Sequence, residues 1–191
     1  NKMLERLEKG EAEGILASGE AELIGLGRAL VADPAWPIKA SRGRTNDIRY
    51  CISCNTCWDT IVTRHQPMAC VNNPRVALPD EVDWWPVRQA KTRRVAIVGA
   101  GIAGLEAAWV AAARGHSVTV FCSSAQVGGK ARLRSHLPGG EEISSIYDYQ
   151  MVSAQRAGVR FEYGMRASMV DIAAVNPDAV VLASGASMVP P

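Results

Sequence analysis

The sequence predicts an α/β fold whose C-terminal half is built on a parallel sheet. Val95–Val98 is an unbroken apolar run and Val118–Phe121 is apolar apart from Thr119, and the two flank a segment of helical character, Ile102–Arg114. Strands joined by one crossover helix run parallel, so this order is typical of a doubly wound sheet. A glycine-rich turn joins the first run to the helix, and we therefore expect a Rossmann-like domain.

The remaining predicted elements lie on both sides of this unit. Residues 2–17 read as a helix that Gly19 ends, and Leu23–Leu26 reads as a short apolar strand. A helix is expected after Asp33 and Pro34, with the aspartate as its cap and the proline in its first turn. Beyond the β-α-β unit we predict a helix at about 141–157 and strands at about 158–163 and at Ala179–Ala183.

The middle of the chain differs from its flanks in composition and in periodicity. Residues 41–93 contain four cysteines, several prolines and a Trp–Trp pair, with little periodicity. We expect a loop-rich module that is held together by something other than a large core. The chain does not start with Met and ends just after an apolar strand, so we expect a piece of a longer protein that associates with other copies.

Composition narrows the classes of function. The 191 residues are 48% hydrophobic and 21% charged, with a net charge of +2. This balance argues against a disordered tail and against a nucleic-acid partner. No apolar run approaches the roughly 20 residues of a membrane-spanning helix, and the first residues do not form a signal peptide. We expect a cytoplasmic protein without a membrane partner, in which the five cysteines are not disulfides.

Four of the cysteines have the spacing of a metal site. Cys51, Cys54, Cys57 and Cys70 follow the pattern C-x2-C-x2-C-x12-C. Thiolates are ligands for iron–sulfur clusters and for zinc. Structural zinc usually takes two separate pairs of ligands. Three ligands in one turn and a remote fourth fit a [4Fe-4S] cluster better, with zinc as the alternative.

The glycine-rich turn has the pattern G-x-G-x-x-G after a strand and at the start of a helix. Gly99 permits the tight turn, Gly101 lets the backbone approach a pyrophosphate, and Gly104 allows close packing of helix on strand. The N–H groups and the dipole at the start of a helix favour phosphate. We therefore predict binding of ADP or of a dinucleotide.

The acidic residue that usually holds the ribose hydroxyls is missing. Cys122 stands at the corresponding position after the second strand, followed by Ser123 and Ser124. Hydroxyl groups can still bond a ribose, and the absence of a carboxylate removes repulsion of a 2′-phosphate. FAD, ADP and NADP therefore all stay open. The pair Gly128 and Gly129 follows in the same loop, where backbone can pass close to the ligand.

With the cysteine and glycine motifs in this order, the chain resembles the multidomain flavoproteins related to Old Yellow Enzyme. Members include trimethylamine, dimethylamine and histamine dehydrogenases and 2,4-dienoyl-CoA reductase. Cys122 in place of an acidic residue and Ser184 in place of Thr depart from the family pattern. The resemblance is carried by Leu23–Pro34, Cys51–Cys57, Cys70–Pro74, Gly99–Leu105, Gly128–Gly129 and Ala183–Gly185.

The resemblance implies three segments. Residues 1–46 would be the end of an FMN-binding (β/α)8 barrel, with Gly27 and Arg28 at the FMN phosphate. Residues 47–92 would be the cluster segment and linker, and residues 93–191 an incomplete Rossmann-like domain for FAD or ADP. Substrate-facing residues would lie upstream in the barrel, so no catalytic residue is assigned.

Two activities follow from the resemblance. The x2, x2, x12 spacing matches members like trimethylamine dehydrogenase, which favours oxidation of an N-methyl amine by FMN. Electrons would then pass through the cluster to an electron-transfer flavoprotein. The alternative is an NAD(P)H-dependent reductase of a conjugated enoyl substrate, with the opposite electron flow. An alternative of another class is a non-catalytic, zinc-stapled module that binds a nucleotide.

Overall fold

The computed structural model describes residues 9–186, and Ala12 is the first residue with a described side chain. The chain divides into two compact units, 1–84 and 85–191. The first unit contains α1 (Lys9–Ser18), α2 (Arg28–Ala32), α3 (Trp36–Ser41), a 3-10 turn (Thr45–Asp47) and α4 (Thr56–Trp58), which continues as a π-helical turn (Asp59–Thr63). The second contains β1 (Arg94–Val98), α5 (Ile102–Ala113), β2 (Ser117–Cys122), α6 (Gly129–Ser135), a 3-10 turn (Glu141–Ile143), α7 (Ser144–Arg156), β3 (Arg160–Tyr163), α8 (Met169–Ala174) and β4 (Ala179–Leu182).

The second unit is a four-stranded parallel sheet in the order β3-β2-β1-β4. Ile97 on β1 pairs with Val120 on β2 and with Val181 on β4. Ile97, Val120 and Leu105 of α5 have no more than 2% exposure, so they form the centre of the core. Burying a side chain of this size contributes about 1.5–3 kcal/mol. The predicted α/β class and the parallel sheet are confirmed.

The first unit has little apolar core. Trp36, Ala40 and Ile48 form its buried cluster. Beside it lies a buried ion pair in which Lys39 Nζ is 2.7 Å from Asp33 Oδ2. Asp33 also accepts hydrogen bonds from two backbone N–H groups, so its buried charge is well satisfied. Polar contacts thus stabilise this unit alongside a small core.

Several predicted elements differ in detail. Leu23–Leu26 does not form a strand, and Leu23 is 86% exposed. A strand needs a paired neighbour, and none lies beside this segment within the described part of the chain. The predicted helix at residues 2–17 is observed over Lys9–Ser18, and residues 2–8 lie outside the described residues. Helix α3 starts two residues later than expected, so Asp33 bonds the N–H of Ala35 but is not the cap residue.

Helices α6 and α8 were not predicted. Helix α8 begins with a capping box in which Ser168 and Asp171 bond each other's backbone N–H groups. Helix α6 starts directly from the Gly128–Gly129 pair. No helix within residues 9–186 is long and apolar enough to cross a membrane.

Candidate functional site

A cavity of about 630 Å³ lies at the carboxyl ends of β1, β2 and β4 in the second unit. Ligands of open parallel sheets bind at this edge, and the volume is in the range of small-molecule sites. The cavity combines the glycine-rich turn, the end of β2, the start of α6 and the turn after β4. Its lining comprises residues 99–103, 122–126, 128–133 and 183–185.

Two glycines of the turn are required by the fold itself. Gly99 has φ +108°, and a Cβ there would lie 2.7 Å from the carbonyl carbon of Ala183. A Cβ on Gly104 would collide with the carbonyl oxygen of Gly99. These two positions set the close approach of β1, α5 and the turn after β4, as the sequence predicted for Gly104.

Gly101 is different, because nothing in the fold demands a glycine there. Its backbone is extended, with φ −78° and ψ −175°, which any residue can adopt. No atom lies within 4 Å of the position that its Cβ would take, and Gly101 lines the cavity. It is also the cap residue of α5, whose first N–H groups have no side-chain cap. Since the fold does not require glycine at this position, a ligand that lies close to the backbone explains it better. A pyrophosphate bound at the start of the helix is such a ligand.

The Gly128–Gly129 loop packs against this turn. The N–H of Gly128 donates to the carbonyl of Ala100 at 2.8 Å, and Gly128 forms a β-bridge with Gly101. Gly128 has φ +105°, and a Cβ on Gly129 would lie 3.2 Å from the Cα of Gly101. The structure thus brings the two predicted glycine motifs into one cavity wall.

The end of β2 carries the neutral groups that the sequence predicted. Cys122 is 4% exposed, and its Sγ donates to the carbonyl of Gln126 at 3.6 Å. Ser123 and Ser124 follow it at the cavity and are exposed. Within the described residues, no Asp or Glu lines the cavity. A cavity without carboxylates favours an anionic ligand.

Helix α6 adds two cations that the sequence analysis did not single out. Lys130 Nζ donates to the carbonyl of Ala186. Arg132 Nε donates to the carbonyl of Val127 at 2.6 Å, and its guanidinium lies 4.8 Å from the ring centre of Tyr147. Both residues line the cavity. Both residues could have been found from the sequence, because they follow Gly128 by two and four positions. The start of a helix beside a glycine pair is a common phosphate contact.

The four cysteines lie in the first unit. Cys51, Cys57 and Cys70 are half-buried and Cys54 is exposed. Burial raises the pKa of Cys51 and of Cys70, and negative charge on Cys54 raises both further. The thiols therefore lie within electrostatic reach of one another. Within residues 9–186, however, no three His, Cys, Asp or Glu side chains are close enough to hold a metal ion, so the cluster is not itself shown.

Backbone N–H groups point at two of the thiols. The N–H of Ser53 donates to Cys51 Sγ at 3.4 Å. The N–H groups of Asn72 and Asn73 bond Cys70 and act against the burial effect on its pKa. Hydrogen bonds to sulfur stabilise the thiolate form, which is the form that ligates metals. The donor set therefore fits an iron–sulfur cluster in its chemistry.

Polar side chains hold the two cysteine segments together. Asn72 Nδ2 donates to the carbonyl of Tyr50 at 2.8 Å, which joins the segment after Cys70 to the residue before Cys51. Thr60 Oγ1 accepts from the N–H of Ala69 at 3.2 Å and donates to the carbonyl of Cys57 at 3.1 Å. The Asn72–Tyr50 and Ala69–Thr60 contacts join residues 22 and 9 positions apart, so no local sequence pattern predicts them.

Gly27 and Arg28 were expected at a flavin phosphate. Gly27 is exposed and precedes α2, and Arg28 is the first residue of that helix. Arg28 Nη1 donates to Asn55 Oδ1 at 2.5 Å. This contact with the cysteine turn was not predicted.

Comparisons with known proteins agree with this geometry. A family model described as NAD(P)-binding Rossmann-like domain matches residues 97–173. The chain is 40% identical to the NADH oxidase of Thermoanaerobacter brockii over 94% of its own length and 28% of that protein's. A structure of 2-naphthoyl-CoA reductase matches with a TM-score of 0.86 and 32% identity, over 95% of this chain and 27% of the other. Histamine dehydrogenase from Rhizobium sp. 4-9 matches with a TM-score of 0.80 and 29% identity, over 90% of this chain and 25% of the other.

The second unit thus has a Rossmann-like fold, and residues 97–173 within it match the model of an NAD(P)-binding Rossmann-like domain. The matches confirm the resemblance of the chain to the group that includes trimethylamine dehydrogenase and the reductases related to Old Yellow Enzyme. The chain spans about a quarter of the length of the relatives it matches.

Proposed function

We propose that the chain is part of an iron–sulfur flavoprotein oxidoreductase whose second unit binds the ADP portion of FAD, or ADP itself. The observation that carries the nucleotide proposal is Gly101. Its extended backbone and the open space at its Cβ position leave room for a ligand directly at the start of α5. The uncapped N–H groups of that helix would then hold a pyrophosphate.

The cavity supplies the other contacts that such a ligand needs. Gly99 and Gly104 keep the turn close to the sheet, and Gly128–Gly129 would let the second loop approach the ligand. Hydroxyl groups of Ser123 and Ser124, beside Cys122, would bond the ribose in place of a carboxylate. The cations at the start of α6 favour the phosphate charge.

In the first unit, we propose that Cys51, Cys54, Cys57 and Cys70 hold a [4Fe-4S] cluster. Their spacing supports the proposal, and so do the backbone N–H groups that bond Cys51 and Cys70. When bound, the cluster supplies one-electron transfer and a flavin supplies two-electron chemistry, so together they connect substrate oxidation or reduction to single-electron steps. The chain's own part is to hold both groups and to set their surroundings.

For the whole protein, we propose amine dehydrogenation as the activity. The x2, x2, x12 spacing is that of members like trimethylamine dehydrogenase, and the match to histamine dehydrogenase agrees with it. FMN would lie at Gly27 and Arg28, and an electron-transfer flavoprotein would be the acceptor. From the composition and the cysteine chemistry we further propose a cytoplasmic location, and we propose that the protein associates with other copies of itself.

The second candidate is an NAD(P)H-dependent reductase of an enoyl substrate. It is favoured by the 40% identity to an NADH oxidase and by the TM-score of 0.86 with 2-naphthoyl-CoA reductase. The two proposed activities differ in which compound reduces the flavin. Under the first proposal, methylated amines bleach the flavin of the complete protein and NAD(P)H does not. Bleaching by NAD(P)H alone would reject amine oxidation in favour of the reductase.

The nucleotide proposal is tested on this chain directly. We expect ADP and FAD to bind with measurable heat in titration calorimetry, at one site per chain. Adenosine, which lacks phosphate, should bind far more weakly, because the helix start is the main contact. Equal affinities for adenosine and ADP would contradict the proposed position of the pyrophosphate.

A further inference from the structure

The turn that carries the first three cysteines is bonded to a side chain of helix α2. Asn55 lies between Cys54 and Cys57, and its Oδ1 accepts a hydrogen bond from Arg28 Nη1 at 2.5 Å. The two residues are 27 positions apart in sequence. The bond therefore connects the start of α2 to the middle of the cysteine turn.

This turn has an unfavourable backbone that needs such support. Ser53 has φ +53° and Asn55 has φ +57°, so two residues other than glycine lie in the left-handed region within three positions. Left-handed backbone costs free energy for any residue with a Cβ, although asparagine tolerates it better than most. Around the turn, Cys54 and Asn55 are exposed, so burial of these side chains supplies little stabilisation.

The Arg28–Asn55 bond has the character to hold the turn. A hydrogen bond with a charged donor is stronger than one between neutral groups. Arg28 is half-buried on α2, and Asn73 Nδ2 bonds the carbonyl of Val31 in the same helix at 3.0 Å. The helix that presents Arg28 is therefore itself attached to the segment that follows Cys70.

We propose that Arg28 is a positioning residue for the cysteine turn, and that through Asn55 it sets how firmly the turn holds its metal cluster. The role in cluster retention rests on the proposed function of the cysteines. The role in ordering the turn does not, because the bond exists between side chains of this chain alone.

Asn55→Gly is the sharpest variant. Glycine accepts left-handed backbone more readily than asparagine, so this change relieves the backbone cost while it removes the acceptor for Arg28. If Asn55 serves only its own backbone, the variant should be at least as well ordered as the original. If the bond to Arg28 keeps the turn ordered, the cysteine turn should be less well ordered in this variant. Asn55→Asp keeps an oxygen that can accept the bond from Arg28, so the turn should be as well ordered in this variant as in the original chain.

The first experiment uses the reduced, metal-free chain and measures hydrogen exchange of the amides in residues 53–59. We expect exchange to be about tenfold faster in Asn55→Gly and in Arg28→Ala, the size of effect that loss of a charged hydrogen bond produces. The double variant should be no faster than either single one, because both remove the same contact. Arg42→Ala is the matched control, since the side chain of Arg42 is exposed and forms no bond within residues 9–186. Unchanged exchange in Asn55→Gly, or effects that simply add in the double variant, would overturn the proposal.

The second experiment uses the chain reconstituted anaerobically with iron and sulfide, and measures iron release to a chelator. We expect release about tenfold faster from Asn55→Gly and Arg28→Ala, and the original rate from Asn55→Asp and Arg42→Ala. Equal release rates from all variants would refute the role in retention. If the unaltered chain takes up no iron, the proposed function fails, and hydrogen exchange alone still decides whether Arg28 orders the turn.

Discussion

Replacing Gly101 by alanine should separate ligand binding from folding. The backbone of Gly101 suits alanine, and the added methyl group would meet no atom within 4 Å. Gly→Ala at a compatible site stabilises by about 0.4–1 kcal/mol, because the unfolded chain loses freedom, but Gly101 caps α5 and alanine is a poorer helix cap than glycine. Because the two effects oppose each other, we expect the Tm of this unit to change by no more than roughly 4 °C. Binding of ADP should fall at least about tenfold, since the methyl group occupies the space of the pyrophosphate.

Gly99→Ala is the contrasting variant. Its Cβ would lie 2.7 Å from the carbonyl carbon of Ala183, and φ is +108°. A residue forced into such backbone costs about 1–3 kcal/mol, before the collision is counted. We therefore expect Gly99→Ala to lower Tm by roughly 10 °C. Loss of binding in this variant would follow from damage to the fold.

The assay pairs thermal unfolding with ADP titration for both variants and for Gly25→Ala. Gly25 has open space around its Cβ position, like Gly101, but lies in the first unit. Its replacement should leave ADP affinity unchanged. If Gly101→Ala keeps full ADP affinity, or if it destabilises the unit as Gly99→Ala does, the assignment of Gly101 to the ligand is wrong.

Three other variants test separate parts of the account. Cys122→Asp should raise the affinity for ADP and lower that for 2′,5′-ADP, each about tenfold, because the new carboxylate bonds ribose hydroxyls and repels a 2′-phosphate. If calorimetry shows both affinities changing in the same direction, the ribose is not bound at Cys122. Lys39→Met leaves the charge of Asp33 buried without its partner and should lower the free energy of unfolding in urea by about 3–5 kcal/mol. The double variant Lys39→Met, Asp33→Asn should recover most of this loss. Asp178 accepts a hydrogen bond from the N–H of Arg94 at 2.7 Å, and this bond lowers its pKa. A lowered carboxylate pKa stabilises the fold above the unfolded value of about 3.9 and ceases to do so as pH falls through the folded value. Asp178→Asn should therefore lower Tm at pH 7, with a difference that narrows towards pH 3; a gap independent of pH would be inconsistent with this cause.

The β-α-β unit could be predicted from the sequence because its determinants are local. Val95–Val98 is apolar throughout and Val118–Phe121 is apolar apart from Thr119, which is typical of strands covered on both faces, and the glycines lie at fixed offsets from the first run. Helix α8 could also have been found, since Ser168 and Asp171 have the spacing of a capping box. The prediction of a strand at Leu23–Leu26 failed because apolar composition alone does not supply a pairing partner.

The contacts around the cysteines could not be predicted in this way. Arg28 and Asn55 are 27 positions apart, and Asn72 reaches back to Tyr50 across 22. Neither pair has a period or a motif, because loop-rich structure brings side chains together by tertiary folding. The motif predicts the tight turn for Gly99 and the approach of a ligand for Gly101, and the structure adds the close contact of Gly99 with Ala183 and the open space at Gly101.

We propose above all that the four cysteines hold an iron–sulfur cluster in a chain that also carries a nucleotide-binding unit. Iron, acid-labile sulfide and zinc in protein purified without oxygen test it most directly. We expect about four iron and four sulfide per chain, with a brown colour that Cys57→Ser greatly weakens. Stoichiometric zinc with no visible absorbance would contradict it and would favour a zinc-stapled binding module.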